Sequence, residues 1–100
     1  MHAVVNRLTF AAPVDPALFS AVADLRPAFE SIDGFEAAHV VQTGEREVVL
    51  VIVGRDASTL DRLATEVGSP WMAAHVVPLL AGPPERALGP VIGSTTYATG

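Results

Sequence analysis

Few side chains in this 100-residue chain have types and spacings suited to chemistry. His75 follows Trp71 by four residues in the run Pro70-Trp71-Met72-Ala73-Ala74-His75, so on a helix both rings project from one face. An imidazole with a pKa of ~6.5 suits proton abstraction at neutral pH or ligation, with Trp71 as an aromatic wall beside it. The plainer reading is a hydrogen-bonded histidine in helix packing, with Trp71 and Met72 in the core or at an interface. Asn6 lies in an alternating segment and shares a face with Val4, Leu8 and Phe10. An amide on an apolar face must bond something: a substrate oxygen, a dioxygen adduct, a neighbouring strand or a water. His39 alternates with Ala37 and Val41 and is a candidate for the same cavity, as is the hydroxyl of Tyr97 in Ser94-Thr95-Thr96-Tyr97. Asn6, His39 and His75 have no ligand spacing that defines a metal site. No Gly-rich phosphate loop, GxSxG or HExxH occurs.

Composition excludes other classes. There is no cysteine, hence no disulfide framework, thiolate nucleophile or Cys-ligated metal. The net charge of −5 and the singly spread Arg7, Arg26, Arg46, Arg55, Arg62 and Arg86 argue against nucleic acid as a partner. The longest apolar run, Val48 to Val53, is far too short to span a membrane, and the N-terminus lacks a signal-peptide layout. A cytoplasmic location is expected.

The elements that must position these residues follow from periodicity. Ala3 to Phe10 alternates as a strand, and Asp15-Pro16 is a helix start. Leu18, Val22, Leu25, Phe29 and Ile32 then form one apolar stripe, with a kink or restart expected at Pro27. Asp33-Gly34 turns the chain into a hairpin, Phe35 to Arg55, whose turn centres on Thr43-Gly44-Glu45. Asp56 caps a second helix carrying Leu60, Leu63, Ala64 and Val67, with Gly68 as its stop. Ser69-Pro70 opens a short helix, with a strand over 71–80 as the alternative, and a last strand is expected over Pro90 to Ala98. Arg7 is expected to pair with Asp24 or Glu30. Arg86 is expected on a loop, where nothing in the sequence supports an anion-binding role.

The order β-α-β-β-α-(α)-β is the split βαβ of the α+β, ferredoxin-like class, one domain over residues 1–100: a four-stranded antiparallel sheet with helices on one face. Half of the residues are hydrophobic, more than a chain this small buries easily alone. A second copy is therefore expected to cover the bare sheet face. Leu8, His39, Val41 and one parity of Val48 to Val53 would then line an apolar cavity between two sheets, a dimeric α/β barrel.

In element order and in the Asp33-Gly34-Phe35 entry to the second strand, residues 3–98 resemble the antibiotic biosynthesis monooxygenase family of dimeric α/β barrels. The resemblance implies a homodimer taking a small apolar or aromatic molecule. In cofactor-independent members the substrate's own carbanion reacts with oxygen, and the roles would fall to His75 as base, Asn6 as hydrogen-bond donor, and Trp71, His39, Tyr97 and Leu8 as ligand contacts. No cofactor is then required. Haem-degrading members carry an Asn in the first strand and an axial His after the second main helix, similar to Asn6 and His75. They also carry a Trp at a place where this chain has Glu66. The rival readings are thus a haem enzyme with His75 as axial ligand and a non-catalytic dimer that binds a small ligand or fills its cavity with its own side chains.

Overall fold

The computed structural model describes residues 1–95, with Ala21 described by its backbone alone. Tyr97 and the end of the strand expected over Pro90 to Ala98, residues 96–98, thus fall outside the described residues. Four strands, β1 (His2–Thr9), β2 (Phe35–Gly44), β3 (Glu47–Gly54) and β4 (Glu85–Pro90), form one antiparallel sheet in the order β2-β3-β1-β4. Four short helices, α1 (Pro16–Ser20), α2 (Arg26–Glu30), α3 (Ala57–Leu63) and α4 (Ser69–His75), fill the connections. This is the expected α+β, ferredoxin-like arrangement.

Local chemistry explains most boundaries. Asp15 accepts from the Ala17 N–H at 2.9 Å as the first helix begins. A 3-10 turn over Ala21–Leu25 separates α1 from α2, which restarts with Pro27 in its first turn, where the missing N–H has no partner to lose. Gly34 has φ of +93°, and a Cβ built there would lie 2.7 Å from the Thr59 hydroxyl, so only glycine turns the chain here without strain. Asp56 caps α3, accepting from the Thr59 N–H at 2.8 Å and from its hydroxyl at 2.9 Å.

Two expectations need correction, and the alternative to a third falls away. Gly68 does not stop a helix. It keeps right-handed helical angles, and a π-helical turn over Ala64–Gly68 carries the chain from α3 directly into α4. Pro70 lies in the first turn of α4 and has no N–H to give, which favours the wider turn before it. The last strand comes early, at Glu85–Pro90, while 91–95 lack regular structure. Residues 71–80 are not a strand. They complete α4 and a 3-10 turn, Val77–Leu79, and make only an isolated bridge between Leu80 and Phe10.

The faces of the sheet are the larger correction. Val4, Asn6 and Leu8 pair with Ile52, Leu50 and Val48, and this parity faces the helices. Leu8 is 0 % exposed, in a core packet with Phe10, Val48, Leu50 and Val76. It does not line a bare face with His39 and Val41. Those two pair with Val51 and Val49 on the opposite, uncovered side. Both faces of β1 and β3 carry apolar residues, so alternation alone could not say which faced the helices. Arg7 consequently has no helix carboxylate within reach. It lies on the uncovered face, near Glu47 at 4.0 Å and Glu85 at 3.9 Å.

Candidate functional site

With Val4, Asn6 and Leu50 facing the helices, an apolar cavity lies within one chain, between sheet and helices, rather than between two sheets. Its volume is about 380 Å³. That is the size of a small-molecule pocket, whose lower range is on the order of 300 Å³. The floor is sheet: Val4 and Asn6 from β1, Leu50 and Ile52 from β3, Val40 from β2. The roof is helical: Leu25 and Phe29 from the first helical stretch, Trp71 and Met72 from α4. The wall is strongly apolar, which gives weight to each polar group in it.

Asn6 is the polar group set deepest in the floor. It is half-buried, flanked by Leu50 on β3 and Arg86 on β4, and its side-chain amide makes no hydrogen bond among the described residues. An amide with open hydrogen-bonding capacity in an apolar enclosure is suited to a polar atom of a ligand.

Trp71 joins the cavity to a ladder of rings. Its indole packs tilted on Phe19 at 6.3 Å, Phe19 meets Phe10 edge to face at 6.0 Å, and His75 lies 5.5 Å from Trp71 on its other contact. The four-residue spacing therefore brings the His75 and Trp71 rings together as expected. Trp71 lines the cavity; His75, the last residue of α4, is exposed and stands outside the lining. His39 borders the cavity from the edge strand β2 while its register partner Val51 assigns it to the uncovered face. Leu8 is core and does not line the cavity.

Sequence reasoning also misplaced Arg86. It lies on β4, directly opposite Asn6, and lines the cavity. The signal was the alternation of Glu85, Arg86, Ala87 and Leu88, weakened by Pro83-Pro84 before it and Gly89-Pro90 after it. Glu66, which departs from the haem-degrading pattern, is exposed and bonded to Arg62 at 3.0 Å. Among the described residues no three His, Asp or Glu side chains converge, and no helix is long and apolar enough to cross a membrane.

No protein-family profile matches the chain, and no curated protein matches it in sequence. Solved structures do match. A putative antibiotic biosynthesis monooxygenase from Nitrosomonas europaea superposes with a TM-score of 0.76 at 10 % identity, covering 93 % of this chain and 100 % of that one. A point mutant of SnoaB, a cofactor-independent oxygenase from Streptomyces nogalater, gives 0.72 at 22 % identity, covering 96 % and 97 %. The ActVA-Orf6 monooxygenase of Streptomyces coelicolor, in complex with nanaomycin D, gives 0.65 at 16 % identity, covering 97 % and 92 %. The chain has the fold of the antibiotic biosynthesis monooxygenase proteins over nearly its whole length.

Proposed function

We propose that the protein is a monooxygenase that works without a cofactor on a small apolar or aromatic molecule held between its sheet and helices. The observation that carries this reading is the apolar cavity of about 380 Å³ with the unpartnered Asn6 amide in its floor. The similarity of fold to SnoaB and ActVA-Orf6 supports it. Side chains that filled the interior would have favoured a purely structural dimer; a cavity of this size favours a ligand.

In the proposed reaction the substrate loses a proton from an activated CH₂ to give a carbanion. This donates an electron to dioxygen, and the resulting pair combines to form the C–O bond. The peroxide then takes up a proton and loses water, leaving a carbonyl where the CH₂ stood. Both oxygen atoms are accounted for, and all four electrons taken up by dioxygen come from the substrate. Asn6 would donate to the substrate oxygen on which the carbanion's charge is delocalised. Trp71 would hold the ring system. His75 packs on Trp71 outside the lining and is the proposed proton acceptor, reaching the substrate through one bridging water.

Haem fits less well. An axial histidine must direct a ring nitrogen into the pocket, whereas His75 stands outside the lining and packs on Trp71. No step is derived through haem. A haemin titration followed in the Soret band should show no saturable binding that His75→Ala abolishes.

A second copy belongs to the same reading. The uncovered sheet face carries Val5, Val41, Val49, Val51 and Val53, and a partner's equivalent face is the cover we propose for it.

The direct test is oxygen uptake with anthrone, a tricyclic ketone with an acidic CH₂. Wild-type protein should convert it to the quinone with one dioxygen consumed per product. Asn6→Ala should lose about 10²-fold in rate if its donor acts on the developing oxyanion, and His75→Ala should lose activity if His75 is the base. No turnover by wild type above the buffer rate, across a panel of such aromatic ketones, would sink the reading.

A further inference from the structure

Phe29 belongs to the apolar stripe of Leu18, Val22 and Leu25, just after the restart at Pro27. It is 6 % exposed and stacks on Phe35, the first residue of β2, with ring centroids 5.3 Å apart and planes at 20°. Such a pair gains attraction beyond the area it buries, which holds the Phe29 ring in place. The ring has space on both sides. On one is the cavity of about 380 Å³; on the other a second cavity, about 450 Å³, lies between the first helical stretch and the start of β2. Its cause is in the sequence. β2 enters through a register shift between Phe35 and Ala37, and Ala23, Ala37 and Ala38 are too small to fill the gap between helix and strand.

Val22, Phe29, Ala38 and His39 line both cavities and are the partition between them. Of these four Phe29 is the buried one; Val22 and Ala38 are half-buried and His39 is exposed. The second cavity does not call for a charged guest, because Arg26 and Glu30 on its wall bond each other at 2.7 Å. A guest that starts over Asn6 on β1 and runs across β3 reaches β2 after roughly 10 Å, two strand spacings. There it meets the partition. The geometry points to Phe29 as the residue that sets the length of the guest. A linear aromatic of three rings ends at the partition, and a fourth ring in line is admitted only where a smaller side chain joins the two cavities. The second cavity is then an extension subsite for the apolar end of a longer polycyclic molecule, and Phe29 is a specificity residue. This rests on the reading above, that the cavity holds a small aromatic molecule.

The test uses anthrone and its linear four-ring homologue, with quenching of Trp71, the sole tryptophan, as the readout of binding. Wild-type protein should bind anthrone more tightly than the four-ring ketone, by about tenfold or more. Phe29→Leu, which keeps the core apolar, should tighten the four-ring ketone by about tenfold and leave anthrone nearly unchanged. Leu25→Ala is the control: Leu25 lines the first cavity and not the second, so its loss adds room without opening the partition and should not admit the fourth ring. Equal change for both ketones in Phe29→Leu, or the same gain in Leu25→Ala, overturns the proposal. So does a wild type that binds both ketones alike, a result that needs no folded variant. If anthrone binds every protein and the four-ring ketone none, the length gate alone falls; if neither binds any of them, the cavity reading falls with it.

Discussion

Gly34 and Asp56 show how much of this fold hangs on single positions. At Gly34 the backbone is left-handed and Thr59 crowds the place a side chain would occupy, at 2.7 Å. Gly34→Ala should destabilise by roughly 2 kcal/mol, read as a lowered denaturant midpoint with unchanged m-value. Asp56 is held below the usual carboxylate range, first by the Thr59 backbone N–H and then by the Thr59 hydroxyl. A carboxyl whose folded pKa is depressed adds stability that is complete above its unfolded value, about 3.9, and is lost as pH falls through the folded one. Asp56→Asn keeps a cap acceptor but cannot ionise. The gap in Tm between wild type and Asp56→Asn should be widest near neutrality and narrow below about pH 4; a gap that widens in acid would contradict the assignment. Both turn signals, Asp33-Gly34 and Asp56, were readable from sequence because they act through local backbone chemistry.

At the scale of elements the reading was uneven, for a physical reason. Strands β1 to β3 and the α3 cap follow from patterns within a few residues. The face each strand presents does not, since Val4, Leu8 and Phe10 compete with Val5, Val49 and Val51 as apolar sets, and only the docked helices decide between them. That one ambiguity misplaced the cavity, put Leu8 on one face with His39, and sent Arg7 to the wrong partners. The run Gly68-Ser69-Pro70 reads as a stop followed by a start, yet the π-helical turn makes it a continuous bend. Gly68 has ordinary helical angles, and a Cβ there would meet nothing closer than the Leu63 carbonyl at 3.6 Å. Gly68→Ala should therefore stabilise, by about 0.5–1 kcal/mol, through the entropy of the unfolded chain. Because Gly68 lines the cavity, a fall in ligand affinity without a gain in Tm would instead mean that its smallness serves the site.

For the whole molecule, the uncovered sheet face decides the expected assembly. Val5 and Val41 are 39 % and 48 % exposed there, beside Val49, Val51 and Val53. Sedimentation equilibrium at micromolar concentration should give twice the 10.4 kDa chain mass, and Val51→Lys should shift it to the monomer. A monodisperse 10.4 kDa species for wild type would refute the dimer while leaving the cavity, which one chain forms alone, intact.

The buried side chains form two packets rather than one. Val4, Phe29, Ile32, Leu60, Leu63 and Val67 make the first; Leu8, Phe10, Val48, Leu50 and Val76 make the second. The cavity takes wall residues from both, Phe29 and Leu60 from one, Leu50 from the other. An empty cavity is thus a seam along which the two halves of the hydrophobic interior can breathe separately, and an occupant acts as the keystone that locks them. Amide exchange should reveal two opening events of different free energy in the free protein, merging toward one when an aromatic guest is bound.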